Sequence, residues 1–129
     1  GKNDQALKTY EKALAIRLKV LGPEHPDVGA TYYNMAGVYT AQGKHNQALE
    51  TYEKALAINL KVLGSEHPWV GATYYNMAIV YNSQGMKELA GSHFEMAASV
   101  YTAAYGSEHS DTKDALQKAA RACAASSSP

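Results

Sequence analysis

Slid against itself by 42 residues, the sequence nearly superimposes: residues 1–42 and 43–84 are identical at 33 of 42 positions without a gap. A third, decayed copy occupies 85–126. It keeps Gly85, Ala90, Ala97 and the Gly106-Ser107-Glu108-His109 turn, and has Phe94 where the other two have tyrosine. A period of this length marks an array whose units are too small to bury their own apolar faces and cover them with their neighbours. Whatever one copy forms, all three must form, and they must stack.

Each copy reads as two helices. Between Asp4 and Leu21 the apolar residues Leu7, Tyr10, Leu14, Leu18 and Leu21 recur every three or four positions, which makes one helical stripe. Gly22 suits a left-handed terminus and Pro23 cannot continue the helix. A second helix opens at His25-Pro26-Asp27, where proline fits the first turn and Asp27 complements the positive end of the dipole. Its stripe is Val28, Tyr32, Met35, Ala36 and Tyr39, and Gly43 closes it. No alternating apolar pattern exists, so the fold is all-α. Helices are expected over 4–21, 26–41, 46–63, 68–83, 88–105 and 110–125. The chain therefore opens on a half repeat (1–22), runs through full repeats 23–64 and 65–106, and ends on a capping helix within 107–125. Lys113, Asp114, Gln117, Lys118 and Arg121 give that last helix a polar face. Residues 126–129 read as a frayed tail, and residue 1 as a boundary inside a longer protein.

Charge and chemistry remove whole classes of function. Lys plus Arg is 12 and Asp plus Glu is 12, without the basic surplus that nucleic-acid binding needs. No apolar run is long enough for a membrane span, and the polar opening Gly1-Lys2-Asn3-Asp4 is not a signal peptide. The single cysteine, Cys123, excludes an internal disulfide framework and fits a reducing compartment, the cytoplasm by default. Paired acids, phosphate loops and Ser-His-Asp arrangements are absent, so no catalytic residue and no cofactor is assigned. His25, His67 and His109 recur once per copy, but equivalent positions lie roughly 10 Å apart per stacked layer, too far for zinc bonds of about 2 Å. They are expected to cap helix starts and to bind no metal. His45 and His93 have no partners by spacing and read as surface or groove residues. Cys123 stands in the register of Tyr39 and Tyr81, a packing position.

The set Met35, Ala36, Tyr39, Gly43, Ala48, Tyr52 and Ala55 returns as Met77, Ala78, Tyr81, Gly85, Ala90, Phe94 and Ala97. It resembles the tetratricopeptide repeat (TPR) signature, in which small residues let helices approach and a neighbour's ring fills the groove. The unit is longer than the ordinary one of about 34 residues. That length, with LGPEHPDV (21–28) and LGSEHPWV (63–70), is similar to the long repeats of kinesin light chain and nephrocystin-3. The resemblance covers residues 1–116. It implies a right-handed superhelical solenoid of antiparallel helix pairs, about six helices here, acting as a non-catalytic scaffold or adaptor that binds a peptide or partner protein in its concave groove.

In that family the groove face of the first helix of each repeat carries contacts that fall here on Tyr33 and Asn34, then on Tyr75 and Asn76. The kinesin light chain pattern has two asparagines where this chain has Tyr-Asn. Tyr10, Tyr39, Tyr52 and Tyr81 occupy packing positions, and Tyr32 and Tyr74 lie on the buried stripe. Of the nine mismatches between the close copies, Gly37/Ile79, Thr40/Asn82 and Ala41/Ser83 cluster on the groove side of this helix. They read either as distinct subsites or as drift at tolerant positions. In the decayed copy the register supplies Gln117, Lys118 and Arg121, a basic end that favours a peptide with an acidic or carboxylate group. Trp69 replaces Asp27 and is read as an exposed hot spot or as a ring packed over the His67-Pro68 turn. An alternative reading is self-association, possible as a homodimer, through the uncovered apolar face of the helix over 4–21.

Overall fold

A computed structural model describes residues 1–127. Six α-helices follow in order: α1 (Lys2–Leu21), α2 (Pro26–Ala41), α3 (His45–Leu63), α4 (Pro68–Ser83), α5 (Lys87–Tyr105) and α6 (Ser110–Ser127). There is no strand among the described residues. The expected all-α fold and the six helices are borne out. The ends of α2 and α4 fall where expected, while α1, α3 and α5 start one or two residues earlier. Residues 126 and 127, expected in a frayed tail, belong to α6; 128 and 129 lie outside the described residues.

The helix boundaries have local causes that repeat with the sequence. His25, His67 and His109 each accept a hydrogen bond on Nδ1 from the backbone N–H two residues on, at 3.1 Å in all three. This satisfies an orphan donor of the first turn, so the capping role expected of these histidines is borne out. At the other end of α2, Gly43 N–H reaches Thr40 C=O at 3.0 Å and Lys44 N–H reaches Tyr39 C=O at 2.9 Å, a Schellman turn that needs the positive φ of Gly43. Gly22 also has positive φ, 88°, but with ψ at 163° it leaves α1 in an extended conformation open only to glycine.

The chain forms two compact units, 1–63 and from 64 onward. In the first, α2 packs against α1 and α3 around Leu7, Val28, Met35, Ala36, Ala48, Tyr52 and Ala55. Gly29 makes the crossing of α2 over α3 possible, because a Cβ there would lie 2.9 Å from Asn59 Oδ1 and 3.3 Å from Ile58 Cγ2. The guanidinium of Arg17 donates to Thr31 Oγ1 at 2.6 Å and ties α1 to α2. In the second unit α5 packs against α4 and α6. One cluster joins Ala78, Ala90, Phe94, Ala119 and Ala122; another joins Ala97, Ala98, Tyr101 and Ala115. Gly71 repeats the role of Gly29: its Cβ would lie 2.8 Å from the Tyr101 ring. Thr31, Thr73 and Thr112 are fully buried, and each hydroxyl donates to a backbone carbonyl of its own helix start or turn.

Three packing expectations are corrected. Of the four signature tyrosines only Tyr52 is buried; Tyr10, Tyr39 and Tyr81 are half-buried, as are Tyr32 and Tyr74. Phenol rings at helix edges keep their hydroxyl ends wet, and Lys54 Nζ sits 5.6 Å above the ring of Tyr32. Cys123 is exposed and not a packing residue, with Sγ 3.8 Å from Glu95 Oε1. In α4 the equivalent Tyr81 is covered by the following helix, against His93, and no following helix packs on α6 among the described residues. His93 in turn has the partners its spacing did not reveal. Its ring lies 6.1 Å from that of Tyr74 and 4.9 Å from that of Tyr81, and Nδ1 is 2.9 Å from Leu89 C=O.

Candidate peptide-binding cleft

Within the second unit, the C-terminal halves of α4 and α6 and the first half of α5 line an open cleft of about 470 Å³. Its apolar surface comes from Ile79, Phe94, Ala122 and Ala125, and its polar rim from Asn82, Lys87, Lys118 and Arg121. The arrangement follows from helical spacing. Ile79 and Asn82 are three apart on α4, as Lys118 and Arg121 are on α6, so each pair shares one face. Phe94 provides a rigid floor at 3 % exposure, fixed by the edge of the Tyr75 ring at 5.3 Å.

Charge around the cleft is organised by few contacts. Lys87 Nζ donates to Asn82 Oδ1 at 2.7 Å, a neutral acceptor. Lys118 Nζ donates to Asp114 Oδ1 at 2.7 Å, and Tyr75 OH donates to Asp114 Oδ2 at 2.5 Å. The Lys118 ammonium also lies 5.7 Å from the centre of the Tyr75 ring. The Lys118 hydrogen bond, and then that of Tyr75, hold the Asp114 carboxyl below its ordinary range. The same carboxylate holds the Lys118 ammonium above its ordinary value. Partial burial, followed by the bond to Asp114, pushes the Tyr75 phenol up. The rim is thus net positive, with three cations against Asp114, and its floor is apolar. It suits an anionic group attached to an apolar body.

Four of the expected site residues line this cleft: Ile79, Asn82, Lys118 and Arg121. Tyr75 stands behind it with its ring on Phe94; Asn76 is half-buried, and Gln117 is exposed but does not line the cleft. In the first unit Tyr33 repeats the packing of Tyr75, edge-on to Tyr52 at 5.7 Å. Asn34 and Gly37 are exposed, and Thr40 Oγ1 donates to Ala36 C=O at 2.9 Å. Burial raises the Tyr52 phenol, opposed by its hydrogen bond with Thr40. Trp69 combines the two roles considered for it: 49 % exposed, it sets its ring edge-on to His67 at 5.4 Å. Sequence reasoning missed the cleft residue Lys87 and, beside the cleft, Asp114, which is bonded to Lys118. The second was legible as the acid four residues before Lys118, a spacing that forms a helical ion pair.

The chain matches the tetratricopeptide repeat family profile over residues 1–61 and again over 27–102. A crystal structure of kinesin-light-chain-like, nearly identical TPR-like repeats from Podosopora anserina superimposes with a TM-score of 0.80 at 30 % identity, covering 96 % of this chain and 60 % of that one. A variant of the same repeats gives 0.78 at 31 %, covering 98 % and 59 %. BtubC (BKLC) from P. vanneervenii shares the fold, with a TM-score of 0.61 at 24 % identity over all of this chain and 59 % of that one. This chain thus spans about three fifths of the solved chains it matches. No curated protein matches it.

Proposed function

The chain belongs to the tetratricopeptide repeat family, and on that premise we propose that it is a non-catalytic protein–protein interaction scaffold of the cytoplasm. In its second unit it takes an extended peptide segment of a partner protein between α4 and α6. The observation that carries this reading is the cleft of the second unit, where an apolar floor of Ile79 and Phe94 meets Lys87, Lys118 and Arg121. The ligand is a peptide with a carboxylate beside an apolar side chain. The cation rim orients the carboxylate, and burial of the neighbouring side chain supplies about 25 cal/mol per Å² removed from water. Within the first unit, Tyr33, Asn34, Gly37 and Thr40 on α2 form a contact set of their own, and in each unit the amide, Asn34 or Asn76, donates to and accepts from a peptide backbone.

Selection from a random peptide library tests the reading. Enriched peptides carry an acidic residue next to an apolar one and bind the Arg121→Glu variant at least tenfold more weakly. Enrichment without an acidic residue, or equal binding to Arg121→Glu and to Asn34→Ala/Asn76→Ala, removes the assignment.

A second reading, self-association through α1, is favoured by one observation. Ile58 on α3 packs beneath α2 near Gly29, whereas its counterpart Ile16 on α1 is 64 % exposed and Val20 is 73 % exposed. Light scattering over a concentration series decides it: a mass that rises with concentration and is reset by Ile16→Asn supports association, and a constant monomer mass removes it.

A further inference from the structure

An acid, Asp114, stands beside the basic end of the cleft, bonded to Lys118, and the other copies have no counterpart to it. At the position of Asp114 they carry Ala30 and Ala72, and at the position of Lys118 they carry Asn34 and Asn76. The carboxylate and the ammonium thus occur together, in one copy only, one helical turn apart. Both oxygens of Asp114 are engaged, Oδ1 by Lys118 and Oδ2 by Tyr75. Tyr75 is itself held by its edge contact with Phe94, the floor of the cleft.

We propose that Asp114 is a specificity-determining residue: it occupies the Lys118 ammonium, so that the cleft accepts one ligand carboxylate, at Arg121 and Lys87, and disfavours a second beside it. This rests on the peptide-binding reading above. A carboxylate arriving at Lys118 meets an ammonium that already has a partner, and it stands next to the like charge of Asp114. At Arg121 that penalty is smaller, since the Asp114 charge acts on Arg121 more weakly than on Lys118, and at Lys87 the hydrogen-bond acceptor is the neutral amide of Asn82. The ligand class is therefore a peptide with an isolated acidic residue beside an apolar one, not a polyacidic run. Because the Asp114–Lys118 pair is more than a third exposed at Asp114, its effect on binding is of the size of surface ion pairs, a several-fold change.

The test uses the whole chain and two hexapeptides in a Gly/Ser background, one with a single glutamate beside a leucine and one with three contiguous glutamates, titrated by NMR. The parent is expected to bind the first at least as tightly as the second. Asp114→Asn is expected to tighten the triple-glutamate peptide about threefold to tenfold and to change the single-glutamate peptide less than twofold. Asp114→Ala, which restores the residue of the other two copies, gives the same pattern and stands in if the asparagine variant folds poorly. Glu108→Gln, with the same change in net charge away from the cleft, leaves both affinities within twofold. The proposal is overturned if neither Asp114 variant gains on the triple-glutamate peptide, or if Glu108→Gln gains as much. If neither peptide binds parent or variants at all, the cleft reading itself falls and takes this proposal with it.

Discussion

Replacing Gly71 by alanine is expected to destabilise the second unit, although alanine is the better helix former. Removing an interior helical glycine gains about 0.5–1 kcal/mol. The added Cβ, however, would lie 2.8, 3.1 and 3.2 Å from three carbons of the Tyr101 ring. That ring is 8 % exposed, packed with Ala97, Ala98 and Ala115 and stacked on Tyr105 at 5.9 Å, so it has no free direction to yield. Overpacking of this kind costs about 1–3 kcal/mol, so that once the propensity gain is subtracted the net loss is centred on about 1 kcal/mol and reaches at most about 2.5 kcal/mol. Near the melting midpoint of a chain this size, that is a drop of roughly 4–8 °C. Gly37 provides the internal comparison. It is exposed, its nearest neighbour to an added Cβ is the Tyr52 hydroxyl at 3.9 Å, and Gly37→Ala should stabilise by up to about 1 kcal/mol. Urea and thermal unfolding of the two variants beside the parent measures both signs. If Gly71→Ala is as stable as the parent, or Gly37→Ala is the more damaging of the two, the claim that close helix crossings dictate the glycines is wrong.

Other outcomes follow from single contacts. Asn59 is 2 % exposed beneath Gly29, so Asn59→Asp puts a carboxylate into that site at nearly constant volume. Burial raises the folded pKa of the new acid, so the variant is destabilised by about 3 kcal/mol or more at pH 7 and recovers as pH falls and the acid protonates; an equal loss at pH 4 and pH 7 contradicts this. His67→Ala removes the Nδ1 acceptor of the Trp69 amide and should cost about 1 kcal/mol by urea unfolding, most of it restored by His67→Asn. Equal stability of all three proteins argues against the cap. Acid titration of stability separates parent from Asp114→Asn. The Asp114 pKa is depressed by Lys118 and then Tyr75, so its contribution is present above the ordinary carboxylate range and lost as pH falls through the depressed value. With both side chains partly exposed the difference is a few tenths of a kcal/mol, read as a steeper parent curve below about pH 4; parallel curves refute it.

Helix positions and caps were legible because they depend on near neighbours in the chain: the His-Pro turn, the Gly43 terminus and the three-and-four spacing of apolar residues all act within a few residues. Features that depend on what packs against what were less legible. Tyr33 and Tyr75 step about 100° from Tyr32 and Tyr74, which suggested open groove positions, yet their rings meet Tyr52 and Phe94 edge-on. Gly29 and Gly71 look like ordinary helix interruptions until Asn59 and Tyr101 are seen against them. Cys123 shares the register of Tyr81 but not its covering helix. Asp114 belonged to a polar face in the sequence, and only its contacts with Tyr75 and Lys118 place it beside the cleft.

The measurement closest to the central claim is a chemical-shift map of the isotope-labelled chain with a peptide carrying one glutamate beside a leucine. The cleft reading predicts saturable changes centred on Ile79, Asn82, Lys87 and Arg121, with the Phe94 ring responding and Arg121→Glu abolishing them. Saturable changes confined to Trp69 or to the exposed face of α1, or changes at the cleft that survive Arg121→Glu, would contradict it.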